Sequence, residues 1–227
     1  MRTGGFTARR WQAVQLGGLF ALALGLMLFA FLHVLPPTSD ISPITRTISE
    51  YAHTDAKWLF DLAVLLIAAG SVATFADIAR RKLSGRSAVV LGALWTVSLL
   101  VIVMFTKTDW SVGTSIGGTI HHYASLTAFL SLPAAVFLAA HAVFPSSIVW
   151  RWLARGLSIL SLAVFSTIGF AVVYMLTGGP PWWQSLPLGL IERLVAGSAV
   201  GALAVLLVGL ARTETSMGPS RSRSSAH

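Results

Sequence analysis

Six long apolar runs constrain the fold of this chain more than any other feature of its sequence. They cover residues 11–35, 58–79, 87–106, 122–144, 153–176 and 188–211. A helix needs about 20 apolar residues to cross a hydrocarbon core. Lipid offers backbone amides no hydrogen-bonding partner, and the runs lack the polar–apolar alternation of a transmembrane barrel. We therefore predict an all-α fold, a polytopic membrane bundle of six transmembrane helices.

Composition agrees with a membrane protein and argues against a soluble domain. Hydrophobic residues make up 55% of the chain and charged residues only 11%, whereas a soluble domain is about one-quarter charged. The formal net charge of +8 could suggest nucleic-acid binding, but the basic residues gather at the ends of apolar runs. We predict no nucleic-acid partner. The expected organisation is a basic cytoplasmic leader at 1–10, a transmembrane domain at 11–211 and a disordered cytoplasmic tail at 212–227.

Lysine and arginine residues occupy alternate links of the predicted bundle. One group consists of Arg2, Arg9, Arg10, Arg80, Arg81, Lys82, Arg86, Arg151, Arg155, Arg212, Arg221 and Arg223. The remaining links hold Arg46, Lys57 and Lys107. Since cytoplasmic links are enriched in basic residues, we expect both termini to lie inside the cell. The link between the first two runs then faces outward.

That link, residues 40–58, carries the densest mixture of acidic, hydroxyl, histidine and aromatic side chains in the chain. We expect Ile48, Tyr51 and Ala52 to form one face of a short helix lying on the bundle. Arg46 and Glu50 are spaced for an i, i+4 ion pair. The segment is interpreted either as a lid over a site or as a solvated connector.

Other polar residues should lie near the same outer end. Asp61 stands about one turn inside the second run, and Glu192 and Arg193 about one turn inside the sixth. Ionisable groups within spans usually face the bundle interior with a partner. Asp109 and His121 flank a glycine-rich link before the fourth run. The candidate ligand-binding residues are Asp40, Asp61, Asp109, His121, Glu192 and Arg193.

Chemistry at this outer cluster is the second possibility that the residue types allow. The candidate catalytic residues are Ser49, Glu50, His53, Asp109, His121 and Glu192. Imidazole and carboxylate groups are ligands that zinc prefers, and a bound metal could activate water for hydrolysis. The candidate metal ligands are His53, Asp109, His121 and Glu192. They show no diagnostic spacing, and we predict no specific cofactor.

The motifs DISPITRTISEYA after the first run, TD after the third, IHH entering the fourth and IER entering the sixth occur in one order. In this combination the chain resembles the bacterial six-helix membrane family catalogued as domain of unknown function 998, over residues 14–210. The resemblance implies a bacterial plasma membrane protein and no particular reaction. The family's polar positions fall on Asp40, Ser42, Ser49, Glu50, Tyr51, Asp109, His121, Glu192 and Arg193.

Three functional hypotheses remain open at this point. The first is a structural or accessory protein, or one that binds a lipid or small ligand at its outer face. The second is an extracytoplasmic hydrolase of a lipid or envelope precursor, with or without a metal. The third is a small-solute or proton-coupled transporter. The expected partners are membrane lipids, a small ligand and a second copy of the chain.

Overall fold

The computed structural model describes residues 3–109 and 112–216, with side chains over 10–109 and 112–212. The α-helices are α1 Thr3–Leu32, α2 Lys57–Arg80, α3 Arg86–Met104, α4 Ile116–Val143, α5 Ile148–Leu176, α6 Trp182–Ser185 and α7 Leu188–Ser216. Two 3-10 helices, Thr38–Asp40 and Ile48–His53, lie between α1 and α2. No strand occurs in the described residues. The predicted all-α class is confirmed.

Six of these helices are long and apolar enough to cross a membrane, so the predicted number of spans is confirmed. The chain is a multi-pass membrane protein. Helix α1 begins at Thr3, inside the stretch expected to be a leader, and α7 continues to Ser216, inside the expected tail. Residues 217–227 of that tail lie outside the described residues. Helix α4 begins at Ile116, where the Ser115 side chain accepts a hydrogen bond from Gly118 N at 3.0 Å.

Helices pack mainly as the pairs α1 with α2, α3 with α4 and α5 with α7, and α7 also contacts α1, α2 and α4. Small residues allow α1 and α2 to approach each other closely. A Cβ added to Gly18 would lie 2.6 Å from the Cβ of Ala73, and one added to Gly70 would lie 2.4 Å from Leu22 Cγ. The close approach of α1 to α2 at Gly18 is typical of membrane helices with small residues at their contact.

One end of the bundle is closed by an ion-pair cluster around the fully buried Asp77. Arg80 Nη2 lies 2.6 Å from Asp77 Oδ1, and Arg81 Nη2 lies 2.8 Å from Oδ2. Gln15 Nε2 on α1 donates to the same carboxylate at 2.6 Å, and Arg81 also donates to the Leu210 carbonyl on α7. This group, Gln15, Asp77, Arg80 and Arg81, is called the basic clasp. It ties α1, α2 and α7 together.

The opposite end is covered by residues 40–58, called here the cap segment. Its 3-10 helix Ile48–His53 buries Ser49, Tyr51 and Ala52, while Ile48 packs against the core. The expected short helix is therefore confirmed. Arg46 and Glu50 form the expected i, i+4 ion pair at 3.3 Å. Helix α7 and the link between α3 and α4 hold the segment in place, and α7 also lines the site described next.

Candidate functional site

A cavity of about 300 Å³ lies beneath the cap segment, among α1, α2, α3, α4 and α7. Its polar lining consists of His33, Ser49, His121, Ser125, Glu192 and Arg193. Its apolar lining includes Leu26, Phe60, Ile67, Trp95, Leu99 and Val200. The volume falls at the lower end of the range of about 300–1,000 Å³ that is usual for small-molecule sites.

The polar and apolar lining residues separate along the helix axes. On α7, Glu192 stands eight residues before Val200, and on α4, His121 stands eight residues before Phe129. At 1.5 Å rise per residue, each separation is about 12 Å. The polar groups lie toward the capped end, and the apolar wall continues toward the middle of the bundle. The cavity is therefore amphipathic along its length.

The Glu192 carboxylate joins α7 to the cap segment. Its Oε1 accepts a hydrogen bond from Ser49 Oγ at 2.9 Å, and its Oε2 accepts one from the backbone N–H of Ile48. No basic side chain forms an ion pair with Glu192 in the described part of the chain. These two bonds join α7 to residues 143 and 144 positions away in sequence. Glu192 therefore fixes the position of the cap over the cavity.

Arg193 makes a second set of bonds from α7 to the cap. Its Nη2 donates to Tyr51 Oη at 2.9 Å, and its Nη1 donates to the carbonyls of Arg46 at 2.8 Å and Gly189 at 3.0 Å. Its Nε donates to His33 Nε2 at 2.7 Å. The guanidinium thus connects α1, the cap segment and α7 at one point, and its planar geometry fixes their relative orientation.

Both ring nitrogens of His33 are occupied. Its Nδ1 lies 2.6 Å from the Phe29 carbonyl, and a carbonyl only accepts, so Nδ1 carries the proton. Its Nε2 accepts from Arg193. These two bonds define one neutral tautomer, and they hold the ring edge-on to Tyr51, with the centroids 5.6 Å apart.

His121 lies across the cavity from these groups, on α4. Its Nδ1 is 2.7 Å from the Phe105 carbonyl at the end of α3, and by the same reasoning Nδ1 donates. The backbone of Ile102, on α3, is a second hydrogen-bond partner of the His121 ring. One turn further along, Ser125 Oγ donates to the His121 carbonyl at 2.9 Å. Ser125 Oγ therefore retains free lone pairs in the cavity lining.

Lys107, in the link between α3 and α4, holds the cap segment from a second side. Its Nζ donates to Thr47 Oγ1 at 2.7 Å and to Glu50 Oε1 at 2.6 Å. About one-fifth of each of the Lys107 and Glu50 side chains is exposed. In the sequence Lys107 is recognisable only as a topology marker, because no local pattern links it to Glu50, 57 positions away.

Four of the nine residues nominated from the sequence line the cavity, namely Ser49, His121, Glu192 and Arg193. The other five lie outside its lining. Asp40 and His53 are exposed in the two 3-10 helices, and Asp109 is exposed after α3. Asp61 pairs with Lys57 of its own helix at 2.6 Å, and Glu50 pairs with Arg46 and Lys107. The predicted single cluster is divided between the cavity and the surface of the capped end.

The structure does not assemble the four residues nominated as metal ligands, which are His53, Asp109, His121 and Glu192. Within the described ranges, no three His, Asp or Glu side chains are grouped so that they could hold a metal ion. His53 and Asp109 are exposed, whereas His121 is buried and uses Nδ1 for a backbone carbonyl. Their positions near the same end of the bundle do not bring their side chains together.

Some cavity residues were not nominated from the sequence. One is His33, whose depth at the end of the first apolar run matches that of Arg193. Another is Gly197, which has with Gly201 the four-residue spacing typical of close helix packing. A Cβ added to Gly197 would have no neighbour within 4 Å, and Gly197 lines the cavity. An isolated glycine motif does not distinguish a helix contact from a cavity wall.

Comparison with known proteins identifies one family. A family model described as "Protein of unknown function (DUF998)" matches residues 19–209. No curated protein and no solved structure matches the chain. The matched interval contains the cap segment and all of the cavity-lining residues.

Proposed function

This chain belongs to the DUF998 family of proteins of unknown function, and we propose that it binds an amphiphile in the cavity beneath its cap segment. The ligand would place its polar head among the side chains of the capped end and its single apolar chain along the inner wall. The observation that carries this proposal is the lengthwise division of the lining into a polar and an apolar part.

The cavity dimensions favour a ligand of this shape. A wall of about 12 Å along α4 and α7 suits one extended hydrocarbon chain, and a volume of about 300 Å³ suits a small molecule. Contact with Leu26, Ile67 and Val200 would bury the hydrocarbon, and such burial contributes about 25 cal/mol per Å² of apolar surface. Lipids of the surrounding bilayer are an available source of such molecules.

A purely structural role accounts less well for this part of the molecule. A polar network that only fastened a loop to helix ends would need no cavity below it, because protein interiors are usually close-packed. Here Ser49 and Glu192 both fasten the cap and line the cavity. The same contacts therefore support the cap and shape the head-group end of the proposed site.

Gly197 provides a direct test, because it lines the cavity and a Cβ added there meets no atom within 4 Å. We would measure saturable binding of radiolabelled 1-monododecanoylglycerol, dodecylamine and dodecanoate to protein in nanodiscs. The Gly197→Leu variant should lose at least tenfold in affinity for every probe that the unaltered protein binds.

The matched control is Gly169→Leu on α5, where an added Cβ also meets no atom within 4 Å but the position lies outside the cavity lining. Its binding should equal that of the unaltered protein. Absence of saturable binding for all three probes, or binding that Gly197→Leu leaves unchanged, would refute the proposed function.

A further inference from the structure

We infer that the head group of the bound amphiphile is a hydrogen-bond donor, a hydroxylated or ammonium group and not a carboxylate or phosphate. This inference rests on the proposed function and specifies its ligand class. It follows from a count of the donors and acceptors that the cavity lining still has available after its internal hydrogen bonds are formed.

Glu192 offers two unused acceptor positions. The two oxygens of a carboxylate have about four lone-pair sites. In the structure one site on Oε1 is used by Ser49 and one on Oε2 by Ile48. A hydroxyl or ammonium hydrogen can therefore bind to the remaining sites.

His121 lines the cavity but is not counted as a free acceptor. Its ring has hydrogen-bond partners in the backbone of Phe105 and of Ile102.

The two serines contribute acceptors as well. Ser49 Oγ donates its hydrogen to Glu192, and Ser125 Oγ donates its hydrogen to the His121 carbonyl. A hydroxyl group has one donor and two lone pairs, so each serine retains acceptor capacity only. Both line the cavity at its polar end.

Arg193 is the only cavity-lining cation in the described residues, and most of its donors are already used. A guanidinium has five N–H groups. Four of them are directed to His33, Tyr51 and the carbonyls of Arg46 and Gly189. Bidentate binding of a carboxylate or phosphate needs two parallel N–H donors, and Arg193 has only one N–H group without a partner.

Lys107 does not provide a second cation that could bind an anionic head group. It is outside the cavity lining, and its ammonium donates to Thr47 and Glu50. The balance at the polar end is thus several acceptors against one spare donor. Buried polar groups without partners are costly, so a complementary head should be a net donor.

The three probes named above share one tail and differ only in their heads, so their affinities compare head groups directly. Near neutral pH we expect 1-monododecanoylglycerol and dodecylamine to bind at least tenfold more tightly than dodecanoate. Equal or tighter binding of dodecanoate, still sensitive to Gly197→Leu, would overturn the inference while leaving the proposed function intact. Loss of Gly197-sensitive binding for all probes would instead refute the function.

A second variant tests the hydrogen-bond count without touching the cap. Ser125→Ala removes one acceptor, and neither Glu192 nor Arg193 bonds to Ser125. This variant should bind 1-monododecanoylglycerol about fivefold more weakly, because the loss of one hydrogen bond lowers the affinity by about this factor. Its affinity for dodecanoate should change by less. The control is Ser166→Ala on α5, an exposed serine with the same kind of intrahelical bond. An equal effect of Ser125→Ala on both probes would contradict the inference.

Discussion

Ser49 and Glu192 are 143 positions apart in sequence, yet Ser49 Oγ donates to Glu192 Oε1 at 2.9 Å. This bond and its neighbour from Ile48 N join the cap segment to α7 at the polar end of the cavity. The position of the cap and the shape of the site therefore depend on the same carboxylate.

Glu192→Gln should loosen the cap. The amide has only one oxygen for two groups that donate to the carboxylate, and its NH₂ would face one of them. Leaving a buried donor without its acceptor costs about 1–3 kcal/mol. We expect faster hydrogen–deuterium exchange in residues 44–54, measured by mass spectrometry.

Asp61→Asn is the control for that experiment, because Asp61 pairs with Lys57 within α2 and its carboxylate forms no hydrogen bond with residues 44–54. Its effect on exchange in residues 44–54 should be small. Unchanged exchange in Glu192→Gln would show that this carboxylate does not hold the cap.

The pair Lys107–Glu50 should show a larger coupling energy than the pair Lys57–Asp61. The first pair joins two separate elements with about one-fifth of each side chain exposed, whereas the second lies within one helix. Both coupling energies can be measured with double-mutant cycles that are followed by thermal unfolding in detergent. In these cycles Met replaces each Lys, Gln replaces Glu50 and Asn replaces Asp61. We expect about 1 kcal/mol or more for the first and about 0.3–0.5 kcal/mol for the second. Equal couplings would contradict the assignment of Lys107 as a cap anchor.

Asp77→Asn should be among the most destabilising single changes in the chain. Asp77 is fully buried and balances Arg80 and Arg81, and the Arg81 side chain is only 10% exposed. Removing one partner of a buried ion pair leaves the other charge uncompensated, at a cost of about 3–5 kcal/mol. The measurement is the unfolding midpoint in detergent. A shift no larger than that of Asp61→Asn would show that the basic clasp is not essential to stability.

Replacing two adjacent glycines of α1 by alanine should have different effects on stability. A Cβ at Gly18 would lie 2.6 Å from Ala73 Cβ, whereas one at Gly17 would have nothing within 4 Å. Gly18→Ala should cost about 1–3 kcal/mol through overpacking. Gly17→Ala should be neutral or stabilise by up to about 1 kcal/mol through helix propensity. Thermal unfolding of the two variants checks the α1–α2 interface, and equal midpoints would contradict it.

The predicted orientation can be tested with cysteines, because the natural chain contains none. Ser42→Cys places a thiol on the exposed surface of the cap segment, and Ser84→Cys places one in the link between α2 and α3. If the basic links are cytoplasmic, a membrane-impermeant maleimide should label only the first in intact cells. Labelling of Ser84→Cys alone would show that the orientation is opposite to the predicted one.

The sequence predicted the scaffold well and the site only in part. Six spans, the short helix at Ile48–His53 and the Arg46–Glu50 pair are local features, set by residues within a few turns of one another. Asp61 shows the limit of this reasoning. Its depth was right for the site, but its side chain pairs with Lys57 one turn back and is not in the cavity lining.

The sequence by itself determined the number of spans and the position of the polar cap, because hydropathy and helix formation depend on each segment's own residues. Only the tertiary structure decided which polar groups share the cavity. Depth along a helix can be counted from the chain, but the rotation of each helix and the identity of its neighbours arise from packing. That packing brings Ser49 to Glu192 and His33 to Arg193, and it leaves His53 and Asp109 at the surface.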